Sequence, residues 1–312
     1  MPTNPGPRMW IQDVPDGNVV AATHSPDGGT LYTLDSNRAF MAWNLATHQS
    51  RRLFEYPEKC SNHFPRMFTS PDGRFLVANT SPATVWNLVE GALHAEIPAE
   101  YSYAGVSMSL GRERIECVSN DWLGIRTWDF VHQQAGDELR GWEVPGTIKT
   151  HHFSPDGTLV AFLNWSDVVT VCDTATRKTL HTIEAPKRSL QHCRFAPDGK
   201  TLVLYAQDHI AIWDMTTAAY RVEKIECDRP YWMLAFHPTA PVVAFRRRDG
   251  LLSLVSLETG EDLRTLDFDA GKPPPQQTPR FSPVTCAAFS PDGLTCAVGG
   301  SNNQFAVFDV DV

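Results

Sequence analysis

FSPDG at residues 153–157 recurs as HSPDG at 24–28, TSPDG at 69–73, FAPDG at 195–199 and FSPDG at 289–293. Pro presets φ, Asp bonds its own backbone, and Gly accepts positive φ, so each copy is a tight turn. A degenerate copy, FHPTAP, begins at Phe236, and SMSLGRERIECVSND from Ser107 fills the gap between Gly73 and Phe153 without the Pro. That makes seven units with steps of about 39 to 53 residues. A fixed period of this length is the mark of a repeat architecture.

After each turn come a β-branched or apolar run, a polar turn, a second run ending in a Trp-Asp-like pair, and a third short run. The pairs are Trp43-Asn44, Trp86-Asn87, Trp128-Asp129, Cys172-Asp173, Trp213-Asp214, Val255-Ser256 and Phe308-Asp309. Alternation such as Ile210 and Ile212 against Ala211 and Trp213 marks strands, and no segment shows a helical stripe. The last unit stops after its third strand, while RMWIQDV at 8–14 has no other place in the pattern. This segment is expected to supply the missing outer strand of the seventh unit.

On these residues the chain resembles the WD40-repeat family, whose unit of about 40 to 45 residues forms one four-stranded blade. The resemblance implies an all-β, seven-bladed WD40-type β-propeller, four antiparallel strands per blade, closed by the N-terminal strand as a single domain over 1–312. The sequence departs from the family in lacking the Gly-His pair before the innermost strand and in softening Trp-Asp in the fourth, sixth and seventh units. Blade packing is mainly apolar, so these departures bear on the family's Asp-His hydrogen bonds rather than on the fold.

Composition narrows the function. Lys and Arg number 27 against 36 Asp and Glu, a formal net charge of -9, which argues against a nucleic-acid binder. No apolar run approaches the length of a secretory signal core or a membrane span, so a soluble, cytoplasmic protein is expected. The seven cysteines are scattered without a C-x-x-C and read as buried reduced thiols.

The resemblance also says which loops share a face. Pro-Asp-Gly turns lie on one side; the turns between second and third strands lie on the other with the blade-linking loops, and in the family that other face is the usual partner-binding surface. AFRRRDGLL at 244–252 runs from a second strand into a third, placing Arg246, Arg247 and Arg248 there. The equivalent turns add Trp122 and Trp165, and the linking loops add Arg66, Tyr101, Tyr103, Tyr231 and Trp232. Trp, Tyr and Arg carry most binding energy at interfaces. A charged run at a turn is also what a solvated turn looks like, and a turn tryptophan can cover its own blade. The segment 266–284, with Pro273, Pro274 and Pro275, is the longest insertion and reads as a lid, a binding arm or a neutral insertion.

Positive signs of catalysis are missing. There is no G-x-S-x-G, phosphate-cradling G-x-x-x-x-G-K, H-E-x-x-H or EF-hand loop. The position three residues before each Pro holds Thr23, Phe68, His152, Arg194, Ala235 and Ala288, without a carboxylate to ligate a metal. His151 and His152 are neighbours in a strand and face opposite ways, one to the core and one to an interface. The expectation is a non-enzymatic scaffold with no cofactor or metal, presenting an Arg and aromatic face to an acidic or phosphorylated segment of a protein partner. An enzyme at the channel mouth and a structural subunit of an assembly are the alternatives.

Overall fold

Twenty-eight strands in seven four-stranded antiparallel sheets account for the regular structure in a computed structural model of the chain. It describes residues 8–15, 17–55, 61–98, 107–109, 114–118, 123–186, 189–227, 235–247, 251–266 and 284–310. No helix occurs among them.

Six sheets are each made of consecutive strands. The first holds β2 (Val19–His24), β3 (Thr30–Asp35), β4 (Ala39–Asn44) and β5 (Ser50–Glu55). The second holds β6 (Ser61–Thr69), β7 (Phe75–Ser81), β8 (Thr84–Asn87) and β9 (Ala92–Glu96), and the third β10 (Ser107–Ser109), β11 (Arg114–Val118), β12 (Ile125–Asp129) and β13 (Gln134–Leu139). The fourth holds β14 (Ile148–Phe153), β15 (Leu159–Asn164), β16 (Val168–Asp173) and β17 (Thr179–Glu184), and the fifth β18 (Leu190–Phe195), β19 (Thr201–Ala206), β20 (His209–Asp214) and β21 (Ala219–Glu226). The sixth holds β22 (Ala235–Phe236), β23 (Val242–Arg246), β24 (Leu252–Ser256) and β25 (Asp262–Leu266).

The seventh sheet breaks this order. It contains β26 (Val284–Phe289), β27 (Thr295–Gly300) and β28 (Gln304–Asp309), and its fourth strand is β1 (Arg8–Asp13). Trp10 lies opposite Val307 and Ile11 opposite Ala306, so the N-terminal segment fills the role expected of it. Trp10 is held there by Phe305 at 5.0 Å, Trp43 at 6.3 Å and a stacked His48 at 4.6 Å between ring centroids.

Four blades share the same turn chemistry after their first strand. The Ser Oγ donates to the Asp Oδ1 two residues on, at 2.6 Å for Ser25 and Asp27, 2.5 Å for Ser70 and Asp72, and 2.6 Å for Ser154 and Asp156 and for Ser290 and Asp292. The same Asp oxygen accepts the backbone N–H of the residue after the Gly. These hydrogen bonds hold the carboxyls of Asp27, Asp156 and Asp292 below the usual carboxylate range.

The contact map divides the chain into two compact units. The unit of residues 1–58, 64–66 and 226–312 contains the first, sixth and seventh sheets. Its cores join β23, β24, β27 and β28 through Val242, Leu254, Val298 and Phe308, and β2 to β4, β27 and β28 through Val19, Trp43, Ala297 and Phe305. The approach is tight at Gly299, where a Cβ would stand 2.5 Å from Cys286 Sγ and 2.7 Å from Val19 Cγ1. The unit of residues 59–63 and 67–225 contains most of the second and fifth sheets and all of the third and fourth. Here Phe75 and Phe130, then Ile125, Phe153 and Phe162, then Leu163, Val171, Phe195 and Leu204 form successive cores. Strands such as β19 are buried on both faces, whereas fourth strands such as β13 are mostly exposed. The five described cysteines with placed side chains, Cys172, Cys193, Cys227, Cys286 and Cys296, are buried free thiols.

Candidate partner-binding site

In the fourth blade the turn between second and third strands is built by a side-chain oxygen at the end of the second strand. Asn164 Oδ1 accepts the N–H groups of Ser166 and Val168, both at 2.9 Å, and its Nδ2 donates to Pro145 O at 2.7 Å. Asp35 does the same in the first blade, accepting from Asn37 at 2.8 Å and Ala39 at 2.9 Å. The turn residues Arg38, Asp167 and Asn303 have positive φ, which Asn and Asp tolerate better than most residues.

Trp165 sits on the Asn164 turn with 59% of its surface exposed, so it does not fold back into its own blade. Lys149 Nζ stands 5.3 Å from the indole centroid, within cation–π range. The ammonium also donates to Leu190 O at 2.6 Å, tying the first strand of the fourth blade to that of the fifth. Burial lowers the Lys149 pKa, with Asp167 pulling it back up. Asp167 Oδ2 in turn accepts the Ser189 N–H at 2.8 Å. The indole is thus presented on a braced turn rather than a loose loop.

The arginine run reads differently in three dimensions than in sequence. Arg247 donates to Asp262 Oδ2 at 2.8 Å and to Glu226 O at 3.2 Å, and its guanidinium lies 6.0 Å from the Phe245 ring. Arg246 is half-buried and reaches Val284 O at 3.5 Å on the first strand of the seventh blade. Both side chains therefore have partners inside the chain. Arg66 is half-buried on β6. Arg248, Trp122, Tyr101, Tyr103, Tyr231 and Trp232 lie outside the described residues.

Sequence reading singled out one position per first strand and missed a broader pattern. Among the described residues none of the seven first strands contains an Asp or Glu, although the chain has 36 of them. Every fourth strand has at least one, Glu55, Glu184 and Asp262 among them. Lys149, His152, His192 and Arg194 instead stand together on β14 and β18. The signal was in the sequence, as an absence spread over whole strands rather than as a motif.

His151 and His152 divide as the strand geometry requires. His151 is buried beside Phe153, and burial lowers its pKa to about 4. His152 faces β18, where the Phe195 N–H approaches its Nδ1 at 3.3 Å and Arg194 Nε its Nε2 at 3.4 Å. No group of three or more metal-ligating side chains converges among the described residues.

Comparison with known proteins identifies the fold. Residues 275–309 match the family model described as WD domain, G-beta repeat. One chain of a solved structure titled Crystal Structure of Mitotic Checkpoint Complex superposes with a TM-score of 0.71 at 16% identity, covering 99% of this chain and 93% of that one. This chain has the fold of a β-propeller. It is also 26% identical over 180 residues to Telomerase protein component 1 of Rattus norvegicus, a match spanning 57% of this chain and 6% of that protein's length.

The departures of this chain from Trp-Asp now have a physical reading. The second member of the pair accepts backbone N–H groups of the next turn: Asn44 from Ala46 and Thr47, Asp173 from Ala175 and Thr176, Asp214 from Thr216 and Thr217. Ser256 Oγ does so for Glu258 and Thr259 at 3.1 and 3.2 Å. The position requires a short side chain with an oxygen acceptor, which Asn, Asp and Ser all supply. The degenerate sixth turn is held by His237, whose Nε2 meets Gly293 O at 3.0 Å while Nδ1 accepts from Ala240 at 2.8 Å.

Proposed function

We propose that this protein is a non-enzymatic interaction scaffold, folding as one domain, whose second-to-third-strand turns receive an acidic or phosphorylated segment of a protein partner. The observation that carries the reading is Trp165: a large indole, more than half exposed, on a turn fixed by three hydrogen bonds of Asn164 and flanked by the Lys149 ammonium. An apolar face beside a cation is the residue pairing that anchors interfaces. Pre-ordering the turn reduces the entropy lost on binding. The run Arg246, Arg247 and Arg248 is proposed to add to this contact. A checkpoint complex and a telomerase component are the settings named for the similar proteins, consistent with work inside assemblies.

The test is affinity capture with wild type, Trp165→Ala, and a variant carrying Arg246→Glu, Arg247→Glu and Arg248→Glu, each first shown to melt like wild type. Captured proteins are identified with and without phosphatase treatment and at raised salt. The reading expects a partner with an acidic or phosphorylated segment, lost from Trp165→Ala and weakened by salt. Undiminished capture by both variants would exclude these turns as the docking surface.

A further inference from the structure

The first strands of the fourth and fifth blades lie side by side, with Thr150 Oγ1 3.2 Å from His192 Nδ1 and Arg194 Nε 3.4 Å from His152 Nε2. Lys149, His152, His192 and Arg194 are all half-buried, so each keeps part of its surface open. They form a strip with a fixed cation at each end and imidazoles between. In a chain of net charge -9, whose fourth strands all carry carboxylates, such a strip is the complement of an anionic ligand rather than a sample of the average surface. Asp167 stands at the Lys149 end, with one oxygen already taken by the Ser189 N–H.

Spacing sets the ligand. Lys149 Nζ is fixed at the Leu190 carbonyl, and Arg194 lies four residues further along β18 past a bulge between Leu190 and His192, about 10 to 13 Å at strand rise. An extended peptide places side chains four positions apart on one face at about 13 Å and two apart at only about 7 Å, so the wider spacing is the better match. We infer that β14 and β18 form a docking track for an extended acidic segment of the partner, its carboxylates four residues apart, one on Lys149 beside Trp165 and one on Arg194. Lys149 uses one of its three N–H donors on Leu190 O, and Arg194 one of its five on His152 Nε2. The exposed indole covers the apolar part of the intervening residues. This assignment rests on the acidic-partner reading above and gives it a register.

Labelled peptides of about nine residues, with two Glu spaced four apart, two apart, or replaced by Gln, are titrated by fluorescence anisotropy at about 50 mM salt. The proteins are wild type, Lys149→Met, which keeps the aliphatic stem beside Trp165, Arg194→Gln, and the triple Arg246, Arg247, Arg248→Gln variant, each checked by melting temperature. The track predicts that the four-apart peptide binds wild type best and that Lys149→Met and Arg194→Gln each weaken it about tenfold, while the triple variant does not. Equal affinity for both spacings, undiminished in Lys149→Met and Arg194→Gln, overturns it. If acidic peptides bind and only the triple variant abolishes binding, the track is wrong and the acidic-partner reading stands. If no acidic peptide binds wild type, both fall.

Discussion

Lowering the pH from about 7.5 to about 5 should cost this protein several kcal/mol of stability through two buried histidines. His24 and His151 both have their pKa lowered from 6.5 to about 4, in each case mainly by burial. Around His24 the Ala288 backbone and Asp292 oppose the shift without cancelling it. Below pH 6.5 the unfolded chain takes up protons that the folded protein refuses, so stability is full above that value, declines as pH falls, and levels off below about 4. At pH 5 the difference amounts to about 2 kcal/mol for each imidazole. The turn carboxylates do not confuse the measurement: Asp27, Asp156 and Asp292 are lowered from 3.8, so their contribution is lost only below that pH. His237, also lowered by burial, acts in the same direction as the other two. Urea unfolding of wild type and His151→Asn at both pH values isolates one site, because the substitution removes the titration whatever it does to absolute stability. The wild-type loss should exceed that of His151→Asn by about 2 kcal/mol. Equal losses would show that His151 is not held neutral by burial.

Gly293→Ala should destabilise by at least 2 to 3 kcal/mol or so, because φ is +78° there and a Cβ would lie 2.3 Å from the His237 ring. Gly91→Ala, with positive φ but nothing within 4 Å, should cost clearly less in the same chemical melts. Deleting residues 1–14 should lower the melting temperature and promote aggregation at low concentration, since β28 would lose its partner strand and Trp43 and Phe305 the cover of Trp10. In the fourth blade Asp173→Asn should destabilise less than Asp173→Ala in chemical melts, because Asn keeps the oxygen that accepts the Ala175 and Thr176 N–H groups.

Seven blades were legible because each turn carries its own chemistry: Pro-Asp-Gly with a preceding Ser recurs wherever the Ser–Asp hydrogen bond forms. The third unit, without Pro, was placed by spacing and by its Trp128-Asp129 pair, and it is a sheet of the same topology. The N-terminal strand was found by elimination, since the last unit lacked one strand. Side-chain partners were not legible. Arg246 and Arg247 looked like a solvent-facing basic cluster because their acceptors, Val284 O and Asp262, lie 38 and 15 residues further along. Lys149 drew no notice because Leu190 and Trp165 reach it only once neighbouring strands and turns are packed together. Local motifs encode turns, whereas the pairing of charges across blades depends on distant residues that no short window contains.

The central claim is that a braced, exposed Trp165 anchors an acidic partner segment. Its most direct test is calorimetric titration of the captured partner's binding segment into wild type and Trp165→Ala. The account predicts about thirtyfold weaker binding by the variant, as for an interface hot spot worth about 2 kcal/mol, with an unchanged melting temperature. Equal affinity in a fully folded Trp165→Ala protein would contradict it.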